Sequence, residues 1–276
     1  MTLKGRLKRL VYGAAGSFPY YGTKVHFPKG SHIFERACAE GVYEKETVRL
    51  IAALVRPDTF YLDVGANIGL LALPILDYEP ACQVVSFEPS PNALPYLERT
   101  ARESRFRDRW RIIGKATGSA PGMQDFCRHS PGMGAYDSLM QTGRGGASTS
   151  VQVPVTTIDA EWEALGKPAV SIIKMDIEGA ELQAIAGAGG CLRQCRPNIL
   201  VEWRAENFRV FGYEPAALLE VAQGLDYDLY SVATMSPVSN AAGLQLQMLR
   251  CDDYLLAPRE PGPDWQVKFE QFRGLQ

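Results

Sequence analysis

The chain carries no excess of basic charge. Its 276 residues hold 29 lysines and arginines against 31 acids, a formal charge of −2 with an isoelectric point near 6.0. No broad cationic surface follows from such a balance, which excludes nucleic acid as the main partner. There is also no uninterrupted apolar run of the roughly 18 residues that a membrane-spanning helix needs. The cysteines are scattered, at positions 38, 82, 127, 191, 195 and 251, and only Cys191 and Cys195 lie close together. Lacking a second pair or a neighbouring histidine, they do not have zinc spacing and read as reduced, mostly buried thiols of a cytoplasmic protein. The N-terminus has Lys4, Arg6, Lys8 and Arg9, but Gly13 and Gly16 interrupt the weakly apolar patch behind them. A secretory signal needs a longer apolar core, so this stretch reads as a solvated arm or lid helix, with weak contact to a membrane surface as the alternative.

The remaining composition, 46% apolar and 22% charged, suffices for one large α/β domain with a small appendage. The chain is organised around residues 59–69, TFYLDVGANIG. Phe60, Tyr61, Leu62 and Val64 are strand formers with no solvated face, which predicts a central parallel strand. Gly65 and Gly69 then frame a turn into a helix, a layout that brings backbone N–H groups and a helix N-terminus towards a ligand. Upstream, Val48, Ile51, Ala52 and Val55 recur at helical spacing from Tyr43 until Pro57 stops them. Downstream, strands are expected at 82–89, 111–114, 151–159, 170–179 and 197–203, with YDLYSVA and LQMLRCDDYLLAP as a closing antiparallel pair. The expected fold is a doubly wound, mostly parallel, seven-stranded Rossmann-like sheet with a terminal antiparallel strand and an N-terminal helical cap. Its expected divisions are an arm or cap over 1–42, the catalytic domain over 43–258 and a tail over 259–276. A glycine-rich flap at about 119–150 interrupts the domain, and a long irregular loop of that kind is more often functional than accidental.

Three clusters carry chemistry. In the first turn, Gly65-Ala66-Asn67-Ile68-Gly69, Asn67 and Leu70 stand where a dinucleotide site wants glycines, and the buried acid Asp63 suits a positive amine better than a pyrophosphate. Glu88 ends the second strand beside it and suits the vicinal hydroxyls of a ribose. The third cluster, KMDIEGAE, sets Lys174, Asp176 and Glu178 on one side of a strand end and Glu181 in the next helix. Three readings stay open there: orienting and deprotonating an acceptor, holding a divalent cation, or capping the helix, the last suiting Glu181 best. A metal is permitted by these acids but not demanded. His129, in the flap, is a weaker candidate base, with a solvated loop histidine as the alternative.

Together LDVGANIG, FEPSPNA and KMDIEGAELQAI resemble the FkbM family of S-adenosylmethionine-dependent methyltransferases, and the similarity extends over about residues 41–203. The resemblance implies a class I methyltransferase sheet, with Asp63, Gly65, Ala66, Asn67 and Gly69 around the methionine part and Glu88, with Pro89, on the ribose. It places Ala116 on the adenine side, although the Ala116-Thr117-Gly118-Ser119 sequence departs from the family's usual A-L-S-D. It implies methyl transfer to oxygen, commonly on a polyketide, sugar or other secondary metabolite, with S-adenosylhomocysteine as product. In the flap only Asp137-Ser138-Leu139 follows a family pattern, and Ser138 is the candidate acceptor contact. Tyr43 is expected to close over the cofactor, or else to pack on the sheet edge. Asp176, Glu178 and His129 remain the catalytic candidates. The alternatives are a nicotinamide-dependent oxidoreductase and a non-catalytic adenosyl-binding module. A homodimer is compatible with the sequence but nothing in it requires one.

Overall fold

The computed structural model describes residues 3–260 and Phe272, so the expected tail beyond residue 260 lies outside the described residues except at Phe272. The chain begins with α1 (Leu3–Ala15), a hairpin of β1 (Ser17–Tyr20) and β2 (Thr23–His26), α2 (His32–Glu40) and α3 (Lys45–Leu54). Tyr21 and Gly22 turn the hairpin with both φ angles positive, the geometry that matches strand twist. Ser31 caps α2 by accepting from the Phe34 N–H, and Gly41 at φ 84° ends it. Phe18, Val25, Phe27, Ile33 and Phe34 are buried in the same cluster as Tyr61, Leu73 and Val84 of the central layer. Residues 17–40 therefore belong to the main core and do more than cover one end of the sheet.

The central layer follows as β3 (Phe60–Val64), α4 (Ala72–Tyr78), β4 (Gln83–Phe87), α5 (Leu94–Glu103) and β5 (Trp110–Ile113). Next comes a small separate sheet of β6 (Ala116–Thr117), β7 (Gly122–Arg128) and β8 (Thr149–Thr156), in the order β6-β8-β7. It closes over Ala116, Phe126, Val153 and Val155. The stretch 151–156, whose alternation suggests an edge strand, thus pairs here and not in the main sheet. The flap narrows to the residues between β7 and β8, including a 3-10 turn at Pro131–Tyr136. After α6 (Ile158–Ala164) the chain returns through β9 (Val170–Met175), α7 (Glu181–Ala186), α8 (Gly189–Cys195) and β10 (Asn198–Glu202). It ends with α9 (Ala205–Phe208), α10 (Ala217–Gly224), β11 (Tyr227–Ser231), β12 (Ser236–Pro237), α11 (Ala241–Met248) and β13 (Asp253–Pro258).

The main sheet has the order β12-β11-β13-β10-β9-β3-β4-β5, with β12 only two residues long. It is parallel from β10 to β5, and β13 runs antiparallel to both β10 and β11. The fold is the expected doubly wound, Rossmann-like α/β sheet. Alternation along its strands divides the core: Tyr61, Val84, Ile172 and Leu200 face one apolar cluster, while Leu62, Val85, Ile173 and Ile199 face the other. On the first face the same alternation sets polar residues above the apolar ones, namely Asp63, Lys174 and Glu202. The chain leaves β3 in one direction and returns at β9 on its other side, so a crevice opens at the carboxyl ends of these two strands. No helix among the described residues is long and apolar enough to cross a membrane. All six cysteines are free thiols. On α1, Leu10 and Val11 are exposed, and Arg9 pairs with Glu35 of α2.

Candidate active site

A cavity occupies that crevice. Tyr43, Asp63, Gly65, Ala66, Asn67, Glu88, Pro89, Ala116, Asp176 and Glu178 all line it, so ten of the residues singled out by sequence come together. Gly69, His129 and Ser138 do not line it. A Cβ on Gly69 would lie 2.6 Å from the Trp110 ring and 2.8 Å from Leu97, so this glycine is required by packing beneath the turn. The Ser138 hydroxyl donates to the Met140 carbonyl at 2.6 Å. His129 is neither a base at the cavity nor a solvated loop residue: it is buried, with Nδ1 3.2 Å from Asp137 Oδ1. Its short loop is folded back onto β7, since Cys127 and Ser138 form a bridge.

The glycine turn differs physically from an anion cradle. The Gly65 and Ala66 N–H groups both donate to the Phe87 carbonyl, at 3.0 and 3.1 Å. Asn67 N–H donates to Glu88 Oε2 at 2.7 Å, and Gly69 N–H to the Ala66 carbonyl at 2.8 Å. With these donors committed inside the protein, the turn offers none of them to a pyrophosphate, which disfavours the dinucleotide reading. Gly65 serves another purpose. At φ 82°, its Cβ position lies 2.0 Å from the Asp176 carbonyl oxygen, so only glycine lets the ends of β3 and β9 approach this closely.

Across the cavity the strand ends present acids in sheet order. Glu88 follows β4, and its oxygens accept from Asn67 and Ser90 N–H, each keeping lone-pair capacity for a further donor. Burial pushes its carboxyl up to about 7 against the pull of those two N–H groups. Asp63, in β3, is fully buried, with the Tyr61 hydroxyl near enough to favour its charged form but neither carboxylate oxygen in a hydrogen bond of good geometry. Burial raises its pKa, opposed by the charge of Lys174, its register partner on β9. Lys174 Nζ lies 3.3 Å from Asp176 Oδ2. Burial would discharge this lysine, but Asp176, Asp63 and Glu44 outweigh it and hold the ammonium charged. Glu178, at φ 57°, meets Arg144 Nη1 at 2.7 Å, and burial followed by the Asp176 charge lifts its carboxyl to about 8. Glu181 stays outside the cavity lining and, as the first residue of α7, accepts from the Ile177 and Gly179 N–H groups of the preceding turn, so it ties that turn down and does not cap the helix itself.

Several cavity residues lack an obvious sequence signal. Arg144 reaches in from the glycine-rich flap, donates to Asn207 at 3.2 Å and lies 4.8 Å over the Tyr136 ring. Arg36 of α2 approaches Tyr43 Oη and Glu44, both at 3.4 Å. Glu202 and Arg204 were legible in principle, because they end β10 just as Asp176 follows β9. Asp176, Glu178 and Glu202 have carboxylate oxygens within 4.8 Å of one another. Guanidinium groups stand against two of them, Arg144 on Glu178 and Arg204 at 3.5 Å from Glu202.

The donor set fits S-adenosylmethionine. Asp63 is a buried acid without a hydrogen bond of good geometry and suits the ligand's amino group, and Glu88 keeps lone pairs for a ribose. Phe87, Ala116, Phe126 and Leu139 add an apolar side suited to a purine. A sheet of this order, with the glycine turn and an acid at consecutive strand ends, defines the class of S-adenosylmethionine-dependent methyltransferases. The chain belongs to the FkbM family of that class: the methyltransferase FkbM domain profile matches residues 63–229. Among individual proteins it is similar to the 2-O-methyltransferase NoeI of Sinorhizobium fredii, 26% identical over 181 residues that cover 58% of this chain and 72% of NoeI. A stretch of 110 residues, 40% of the chain, is 27% identical to 5% of the AMB antimetabolite synthetase AmbE of Pseudomonas aeruginosa. The crystal structure of methyltransferase FkbM from Methylobacillus flagellatus superposes with a TM-score of 0.48 at 17% identity, over 91% of this chain and 58% of that one. The chain thus spans less than two thirds of that structure's length.

Proposed function

We propose that the protein transfers a methyl group from S-adenosylmethionine to a hydroxyl of a small-molecule acceptor, a secondary metabolite of polyketide, sugar or related type. The observation that carries this reading is the order of acids along the strand ends: Glu88, then Asp63, then Asp176 with Glu178 and Glu202, all on one cavity. In this reading Glu88 takes the ribose hydroxyls, Asp63 the amino group of the methionine part, and the β9 and β10 ends face the acceptor. The 2-O-methyltransferase activity in NoeI's name supports oxygen as the receiving atom. A second recess opens beside the first and shares Arg36, Glu44, Lys174, Asp176, Glu202 and Arg204 with it, which supports acceptor entry from that side.

When bound, S-adenosylmethionine supplies a methyl group already activated on a sulfonium. What remains for the chain is in-line positioning and removal of the hydroxyl proton. Asp176 sits at the end of β9 with its Oδ2 steadied by Lys174 and part of its side chain open to the cavity. It orients the acceptor hydroxyl and takes its proton as the O–CH₃ bond forms and the S–CH₃ bond breaks. Glu178, lifted to about 8, is the second candidate base, held by Arg144. Asp176→Asn tests the assignment. It should cut turnover by roughly 10²–10⁴-fold while leaving S-adenosylmethionine affinity by calorimetry nearly unchanged. Unchanged turnover removes Asp176 from the chemistry.

A further inference from the structure

Asp137 is a buried carboxylate that the proposed chemistry does not use. Its side chain is 1% exposed and is met from four directions. Oδ2 accepts from Ser90 Oγ at 2.5 Å and from Asn92 Nδ2 at 2.9 Å. Oδ1 accepts from the His129 backbone N–H at 2.7 Å and lies 3.2 Å from His129 Nδ1. Burying a carboxylate costs several kcal/mol unless it is fully hydrogen-bonded, and an apolar contact would tether a loop without that cost. The network leads elsewhere. Ser90, whose hydroxyl holds Asp137, donates its backbone N–H to Glu88 Oε1 at 2.8 Å, so one residue separates the two carboxylates. Asn92 N–H donates to the same Ser90 Oγ at 3.0 Å, and Asn92 Nδ2 also reaches the His129 carbonyl at 3.0 Å. On the opposite side Glu88 Oε2 is held by Asn67, whose side chain donates to the Gly134 carbonyl of the flap at 3.4 Å. Both oxygens of Glu88 are thus tied, each through one residue, to the segment 129–139. Gly134, Ala135, Tyr136, Asp137 and Leu139 of that segment form one wall of the cavity.

We propose that Asp137 is a positioning residue for the adenosyl ligand: through Ser90 it fixes Glu88 for two-point contact with the ribose hydroxyls, making flap seating and ribose recognition one event. The proposal rests on Glu88 as the ribose partner. Without Asp137 the Ser90 turn loses its anchor, Glu88 can rotate, and its advantage for a diol over a single hydroxyl falls.

The test measures discrimination, which a general loss of packing would not alter. S-adenosylhomocysteine and its 2′-deoxy analogue are titrated by calorimetry into the full chain and its variants. Wild type should prefer the ribose compound by about tenfold or more, the worth of a hydrogen bond to a charged group. Asp137→Asn should lower that ratio to less than about threefold, close to the value for Glu88→Gln. Ser90→Ala, a small change that keeps the backbone donor to Glu88, should move the ratio in the same direction and guards against an Asp137 variant that fails to fold. A merely structural role predicts equal weakening of both ligands and an unchanged ratio, and that result in folded Asp137→Asn and Ser90→Ala overturns the proposal. If wild type binds both compounds without preference, the ribose role of Glu88 fails and the proposal with it. If wild type binds neither, the adenosyl reading of the cavity itself is overturned, and this proposal also falls.

Discussion

At the scale of single residues, two glutamates of the cavity, Glu88 and Glu178, and Glu181 outside its lining hold their protons more tightly than usual. Burial lifts Glu88 and Glu181 to about 7 and Glu178 to about 8, against an ordinary glutamate value of 4.5. The native state therefore binds these protons more tightly than the unfolded chain does. The stability they contribute is fully present below the unfolded value and is lost as pH rises through about 7 to 8. The thermal midpoint of the ligand-free protein should accordingly fall between about pH 5 and about pH 8, as read by scanning calorimetry. A midpoint that climbs steadily over that range contradicts the burial of these carboxyls. Asp63 and Glu88 were legible in the sequence because each ends or nearly ends an apolar run, where an acid has no structural reason to be. His129 was misleading for a related reason. It stands in a loop of small residues, and nothing local foretells that this loop folds back so that Asp137 meets the ring while Asn92, distant in sequence, holds the His129 carbonyl.

Among elements, the approach of β3 to β9 decides whether the site exists. Gly65 and Gly41 have similar φ angles, 82° and 84°, but an added Cβ at Gly41 meets nothing within 4 Å, whereas at Gly65 it meets the Asp176 carbonyl at 2.0 Å. Gly41→Ala should cost about 1–3 kcal/mol, the penalty of a sparsely populated backbone region alone. Gly65→Ala should cost that plus a further 1–3 kcal/mol or so of overpacking, and should displace Asp176 as well. Urea unfolding compares the two, and equal destabilisation would mean that the strand ends yield freely. β3, β9 and β10 were readable because they are largely apolar and buried on both faces, whereas β5 at the sheet edge exposes Arg111. The closing pair was only half readable. Tyr227–Ser231 and Asp253–Pro258 do pair, but the first residues of the expected second strand, 246–248, close the helix Ala241–Met248, which starts at Asn240, whose side chain accepts from the Gly243 N–H. Likewise the Gly189-Gly190 pair looks like a helix end and instead opens α8, because Asp159 accepts from the Gly190 and Cys191 N–H groups. Asp159 arrives from a remote part of the chain, so no local pattern records the start of α8, whereas Asn240 is a local cap three residues from the N–H it accepts from.

For the whole molecule, the doubly wound order puts every chemical residue at one edge of the layer, and the N-terminal hairpin, α2 and the flap wall it in. Arg36 comes from one of these covers and meets Glu44 at the start of α3, while Arg144 comes from another and meets Glu178 just beyond β9. The sequence pattern located the sheet and the glycine turn that lines the cavity. It did not locate the covering segments' contributions, because Arg36 and Arg144 reach the cavity through tertiary packing alone. On the proposed function, acceptor selectivity should reside in these covers and the methyl-transfer chemistry at the strand ends. The most direct test of that account is mass spectrometry of host metabolites incubated with the protein and S-adenosylmethionine bearing an isotopically labelled methyl group. The account predicts a labelled product heavier by one CH₂, with the new methyl on oxygen, formed by wild type and lost with Asp176→Asn. Binding of the cofactor with no labelled product from any fraction, or a label found on nitrogen or carbon, would contradict it.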